Sequence, residues 1–150
     1  MLFTTARGRQ VVDAETAEII GSVAGITLTP LPARVVGLKL KPRAGRELVA
    51  WEEVKSFGPD AVIVSPAEHA ADLRSFADLP DPLGKILLTE TGRQMGTVQD
   101  IDFDPRDGHV RRLLGVGADV IGECLLGIGT FAAVVSETSS PGPAQNAFRQ

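Results

Sequence analysis

Asp100, Asp102 and Asp104 are the first residues whose spacing suggests chemistry, since carboxylates on alternate residues can share a calcium ion. An EF-hand loop also requires Gly at its sixth position and Glu at its twelfth. Those positions hold Pro105 and Arg111, so the three acids read as a solvated strand face entering a turn. Gly115-x-Gly117 and Gly127-x-Gly129 resemble phosphate-cradling loops. A dinucleotide site needs a helix after such a loop, and here a β-rich run follows. His69 and His109 stand 40 positions apart, one in a linker and one in a turn, and neither has a nearby nucleophile in sequence. Cys124 sits in an apolar run, where a buried inert thiol is expected. As the single cysteine it excludes an intramolecular disulfide and a multi-Cys zinc site. No catalytic residue, cofactor site or metal site is expected.

The more informative groups are basic and aromatic. Arg34, Lys39, Lys41, Arg43 and Arg46 cluster in sequence. With Leu38 and Leu40 facing inward, Lys39 and Lys41 face outward on one strand, and Arg43 and Arg46 belong to the adjoining turn. Such a patch suits phosphate or an acidic partner, or else it guards a strand against edge pairing. Trp51 is the only Trp of the chain, suited to a half-buried core position or to a docking anchor. The candidate interaction surface is therefore Lys39, Lys41, Arg43, Arg46 and Trp51.

These residues must be positioned by short β elements. A shift of 75 positions lays residues 11–28 (VVDAETAEIIGSVAGITL) over residues 86–103 (ILLTETGRQMGTVQDIDF) without a gap. Each copy reads as an apolar pair, a polar turn, and a Gly opening a second apolar-alternating run. Gly21 and Gly96 fit a bend or a close backbone approach. The three-residue step from Val23 to Ile26 predicts a bulge near Ala24-Gly25 and near Gln99-Asp100. Further strand-like runs follow at 34–40, 47–50 and 61–65, with a turn at 51–56. In the second copy they fall at 110–116, 120–126 and 130–136. The fold class is all-β: two tandem barrels of five or six strands, closed so that no edges remain. The expected domains are 1–65 and 83–136, joined by a linker at 66–82 with a short helical turn at 67–76. A disordered tail is expected at 137–150.

Gly8-Arg9-Gln10-Val11-Val12, the turn before Ile20-Gly21-x-Val23, and Trp51-Glu52-Glu53-Val54-x-x-Phe57-Gly58-x-Asp60-Ala61-Val62-Ile63-Val64 resemble the PRC-barrel family. The second copy keeps Gly84-Lys85-Ile86-Leu87 and Met95-Gly96-x-Val98. It departs where the first has its Trp51 turn, showing instead the run 125–131. The resemblance covers residues 2–65 better than 83–136. It implies a small β-barrel that docks other macromolecules, with no catalytic motif to carry over.

At 43% hydrophobic and 23% charged residues the chain can build a core, and a formal charge of -4 weighs against a dedicated nucleic-acid binder. No segment approaches the roughly 18 apolar residues that span a bilayer. The expectation is a soluble cytoplasmic protein, with any membrane association running through a partner. The leading function is a non-enzymatic adaptor that binds a protein partner, with a homodimer among the expected states. The rivals are a ribosome- or RNA-associated factor using the basic hairpin at 39–46, and a small-ligand sensor with a pocket between the barrels.

Overall fold

The computed structural model describes residues 1–43, 46–65, 79–117 and 119–136. The linker helix expected at 67–76 and the tail at 137–150 lie outside them. A single helical turn, α1 (Phe3–Ala6), precedes β1 (Gln10–Asp13), β2 (Ile19–Thr29), β3 (Arg34–Pro42), β4 (Leu48–Ala50), β5 (Val54–Phe57) and β6 (Ala61–Val64). The second unit repeats the plan with β7 (Ile86–Thr89), β8 (Gln94–Phe103), β9 (Val110–Gly115), β10 (Asp119–Ile121), β11 (Leu125–Ile128) and β12 (Ala132–Val135). Among the described residues the strands form two six-stranded sheets, ordered β4-β3-β2-β1-β6-β5 and β10-β9-β8-β7-β12-β11. In each, the first strand pairs in parallel with the last and every other pairing is antiparallel.

The architecture is barrel-like, but the hydrogen-bonded ladders do not close. In the first unit β4 and β5 are both edges, and a one-turn 3-10 helix (Trp51–Glu53) bridges them. Gly122–Cys124 does the same between β10 and β11. The reading of 51–56 as one turn and of 120–126 as one strand therefore needs correction. So does the assignment of 125–131 to the Trp51 position. That place belongs to Gly122-Glu123-Cys124, and Cys124 is the counterpart of Glu53, both buried.

The predicted bulges are present, with register shifts between Val23 and Gly25 and between Val98 and Asp100. Close approach explains the two paired glycines: a Cβ on Gly21 would lie 2.7 Å from the Lys41 carbonyl, and one on Gly96 2.9 Å from that of Val116. The gapless alignment is off by one residue at the first strand. Val11 sits opposite Gly21 and Leu87 opposite Gly96, and both face inward with 0% exposure. Val11 thus corresponds to Leu87, because a one-residue slip would turn the apolar side chain outward. The missing residue comes from the turn: Ala17 N–H reaches back to Asp13, whereas Gly92 N–H reaches Thr89, one residue closer in sequence.

The units dock around a local two-fold axis. Arg34 and His109, related by the same shift of 75, face each other in an isolated antiparallel bridge. The Val35 N–H donates to the Gly108 carbonyl (2.8 Å), and the Val110 N–H donates to the Ala33 carbonyl (3.0 Å). The same shift converts each bond into the other. The segment entering each unit crosses to the other. α1 packs on β8, where the Thr4 N–H (3.0 Å) and hydroxyl (2.5 Å) donate to Asp100. Asp81 lies beside Gly25, the two-fold mate of Asp100. One continuous apolar core results, with Ile26, Leu28 and Leu38 of the first unit joined to Leu87, Ile101 and Phe103 of the second.

Candidate functional site

Where the two units meet at the surface, the 3-10 turn at Trp51 is the organising element. Its position follows from a buried ion pair. Glu53, 2% exposed, accepts the Ala50 N–H (2.9 Å) from inside the turn. It also takes two bonds from the Arg46 guanidinium, at 2.5 and 2.6 Å. Arg46 further donates to the Leu48 carbonyl (2.9 Å), tying the β3–β4 hairpin to the turn. A buried carboxylate is tolerable only with such paired donors.

This arrangement places Trp51 half-buried at the seam. Its ring stacks on Phe57 (6.1 Å, 25°) and meets Phe103 of the second unit edge-on (6.1 Å, 87°). Phe57 and Phe103 are themselves 5.5 Å apart at 70°. Such offset and edge-to-face rings interact favourably beyond their area burial. The Arg9 guanidinium lies 5.8 Å from the Phe57 ring centre and donates to the Gly58 carbonyl (2.8 Å), fixing Phe57 from behind.

Two open grooves flank the indole. One, of about 370 Å³, runs along β5 between Trp51, Val54, Lys55, Ser56 and Phe57 on one side and Pro105 and Arg106 on the other. The second, of about 300 Å³, is lined by Thr29, Arg34, Val35, Val36, Ala50, Trp51 and Glu52. Beside the first groove, Arg106 binds Asp104 through its side chain (3.1 and 3.2 Å) and its backbone N–H (2.9 Å). Arg111 reaches the same carboxylate at 3.4 Å. These side-chain and backbone bonds from Arg106 hold the Asp104 carboxyl well below its ordinary range, and Asp104 in turn raises Arg106.

The candidate interaction residues do not form one patch. Lys39 is half-buried and Lys41 and Arg43 are exposed, while Leu38 and Leu40 face the core as the alternation predicts. Lys41 and Arg43 border a separate hollow of about 280 Å³ with Gln10 and Ile19. Arg46 is turned to Glu53 and acts in positioning Trp51. The signal for that role was in the sequence: Glu53 stands three residues after Ala50, where a carboxylate reaches back to an N-terminal N–H.

The three aspartates also differ from the solvated face expected of them. Asp100 holds Thr4, and Asp102 binds the Met1 amino group (3.2 Å) and Arg112 (3.3 Å). Burial would raise the Asp102 carboxyl, but these two cationic partners outweigh it and lower it. Among the described residues no three His, Cys, Asp or Glu side chains are grouped to hold a metal ion. Cys124 is a buried cysteine, 1% exposed. His109 lies in the turn at the two-fold bridge, and His69 lies outside the described residues. Gly115-x-Gly117 ends a strand in a bend, and Gly127 lies within β11.

Two six-stranded units with parallel pairing between first and last strands define a small barrel-like β module. A family model, PRC-barrel domain, matches residues 76–138, a stretch that contains the second unit. The match falls on the copy whose sequence showed the weaker resemblance. None of the curated proteins compared matches the chain. No helix among the described residues is long and apolar enough to cross a membrane.

Proposed function

We propose that the chain is a non-enzymatic adaptor in which two PRC-barrels, the first unit being of the same family as the second, present one composite protein-docking surface at their seam. The observation that carries this reading is the groove beside Trp51. Its apolar wall comes from one unit and Pro105 and Arg106 from the other, so it exists only in the docked pair. An aromatic anchor flanked by charged residues is the composition of interface hot spots. The packed ring cluster of Trp51, Phe57 and Phe103 favours surface docking over an enclosed small-ligand chamber. The engagement of Arg46 with Glu53 reduces the basic hairpin available to RNA.

Affinity capture from native cell extract, with and without nuclease, tests the proposal. The expected result is nuclease-resistant enrichment of a protein partner, lost when Trp51 is replaced by Ala in a variant shown to be folded. Nuclease-sensitive recovery of ribosomal components would transfer the function to RNA-associated assembly. Recovery of only the chain itself would leave self-association in place of the adaptor.

A further inference from the structure

We propose that the outer edge of β5 receives an extended acidic segment of a partner protein by strand addition. This rests on the docking reading of the Trp51 groove and specifies its occupant. β5 is the terminal strand of its sheet, and its four residues form one wall of the groove. A terminal strand presents a row of backbone donors and acceptors, which an extended peptide satisfies while its alternate side chains enter neighbouring pockets. Trp51 and Phe57 supply the apolar surface for one such side chain.

Charge selects the segment. Lys55 is exposed on the strand, and the Arg106 side chain across the groove is 85% exposed. Asp104 pairs with both Arg106 and Arg111, and Asp107 also attracts Arg106, so Lys55, Arg106 and Arg111 stand against two acids at the lip, a positive excess on a chain of net charge -4. The two-fold related position lacks this property. There Leu126 replaces Lys55 and Leu31 replaces Arg106, so an acidic segment has one preferred seat. A lysine on a bulged edge strand also fits a purely protective role against self-pairing, and the register shift at Lys55 makes that role concrete. The two roles predict opposite responses to changing Lys55.

The test uses the full chain and a phage-displayed library of random nine-residue peptides selected at low salt. Enriched sequences are expected to alternate Asp or Glu with aliphatic or aromatic residues, and their synthetic forms to shift the emission of Trp51. Lys55→Glu and Arg106→Gln should each weaken these peptides roughly tenfold or more, while Lys41→Glu, at the separate hollow, should not. N-methylation of alternate peptide amides should abolish binding in one register and spare the other. Selection without an acidic consensus, or peptides indifferent to Lys55→Glu and to both methylation registers, overturns the proposal. Increased self-association of Lys55→Glu without loss of peptide binding assigns Lys55 to edge protection and overturns it equally. Peptides that bind here while the native capture yields no protein would instead sink the adaptor reading alone.

Discussion

The indole of Trp51 rests against the backbone of Gly108 so closely that a Cβ at 108 would lie 3.0 Å from Cε2 and 3.2 Å from Nε1. The same Cβ would stand 3.1 Å from the Val35 carbonyl, and Gly108 has a φ of +81°, which side-chain-bearing residues rarely adopt. Trp51 and Gly108 belong to different units, so this contact couples the groove to the docking of the pair. Gly108→Ala should lower stability by about 1–3 kcal/mol through strain and displacement of the ring. Denaturant unfolding followed by Trp51 emission reads both effects, and an unchanged midpoint with an unchanged spectrum would contradict the packing described.

Arg46 and Glu53 offer a second test. Arg46→Ala removes the guanidinium that makes two bonds to the buried Glu53 carboxylate. Because Arg46 retains 27% side-chain exposure, water relieves part of the penalty. The expected loss is about 2–3 kcal/mol, below the full cost of breaking a buried pair. Lys41→Ala, on the exposed face of the same hairpin, should be neutral within about 0.5 kcal/mol. Equal effects of the two in chemical unfolding would return Arg46 to the surface patch.

The two hairpin turns hold equivalent positions at positive φ, so reciprocal substitutions there should have opposite signs. Ala17 has a φ of +58° and Gly92 one of +90°. Ala17→Gly should stabilise by about 0.5 kcal/mol, since relief of left-handed strain exceeds the added freedom of the unfolded chain. At Gly92 a Cβ would meet nothing within 4 Å, so only the conformational term acts. Gly92→Ala should destabilise by about 1 kcal/mol. Thermal melts of the two variants check the signs.

Acid sensitivity follows from Asp102 and Asp104. Both carboxyls are lowered in the folded protein, Asp102 despite burial and Asp104 chiefly by bonds from Arg106. A lowered folded pKa means that the stabilisation is complete above the unfolded value, about 3.9, and is lost as pH falls through the folded value. Stability should therefore be level with respect to these groups above about pH 5 and decline below about pH 4. Asp104→Asn should flatten that decline, as read by unfolding midpoints from pH 2 to 6.

The strands were legible in the sequence because their apolar alternation is local: β2, β3 and β8 announce themselves residue by residue. The paired glycines were equally readable, since a backbone contact at 21 and 96 leaves the same mark twice. The docking of the units was not. Phe57 and Phe103 lie in separate copies of the repeat, and nothing local distinguishes a core shared between units from one enclosed within each. The second 3-10 turn carries no such mark, because Gly122 stands where Trp51 stands in the first unit. Of the candidate site, Trp51 was legible as a type of residue, whereas the groove beside it depends on Pro105 and Arg106, 54 and 55 positions further along the chain.

The two-fold bridge at Arg34 and His109 has a consequence for how such a surface can change. In an assembly of identical copies, every substitution is made on both flanks at once, and any gain on one must be tolerated on the other. Here the copies are covalently joined and separately encoded. Trp51 and Lys55 on one flank can therefore coexist with Gly122 and Leu126 on the other. Joining the halves frees them from symmetry and allows a directional connector with two unlike ends.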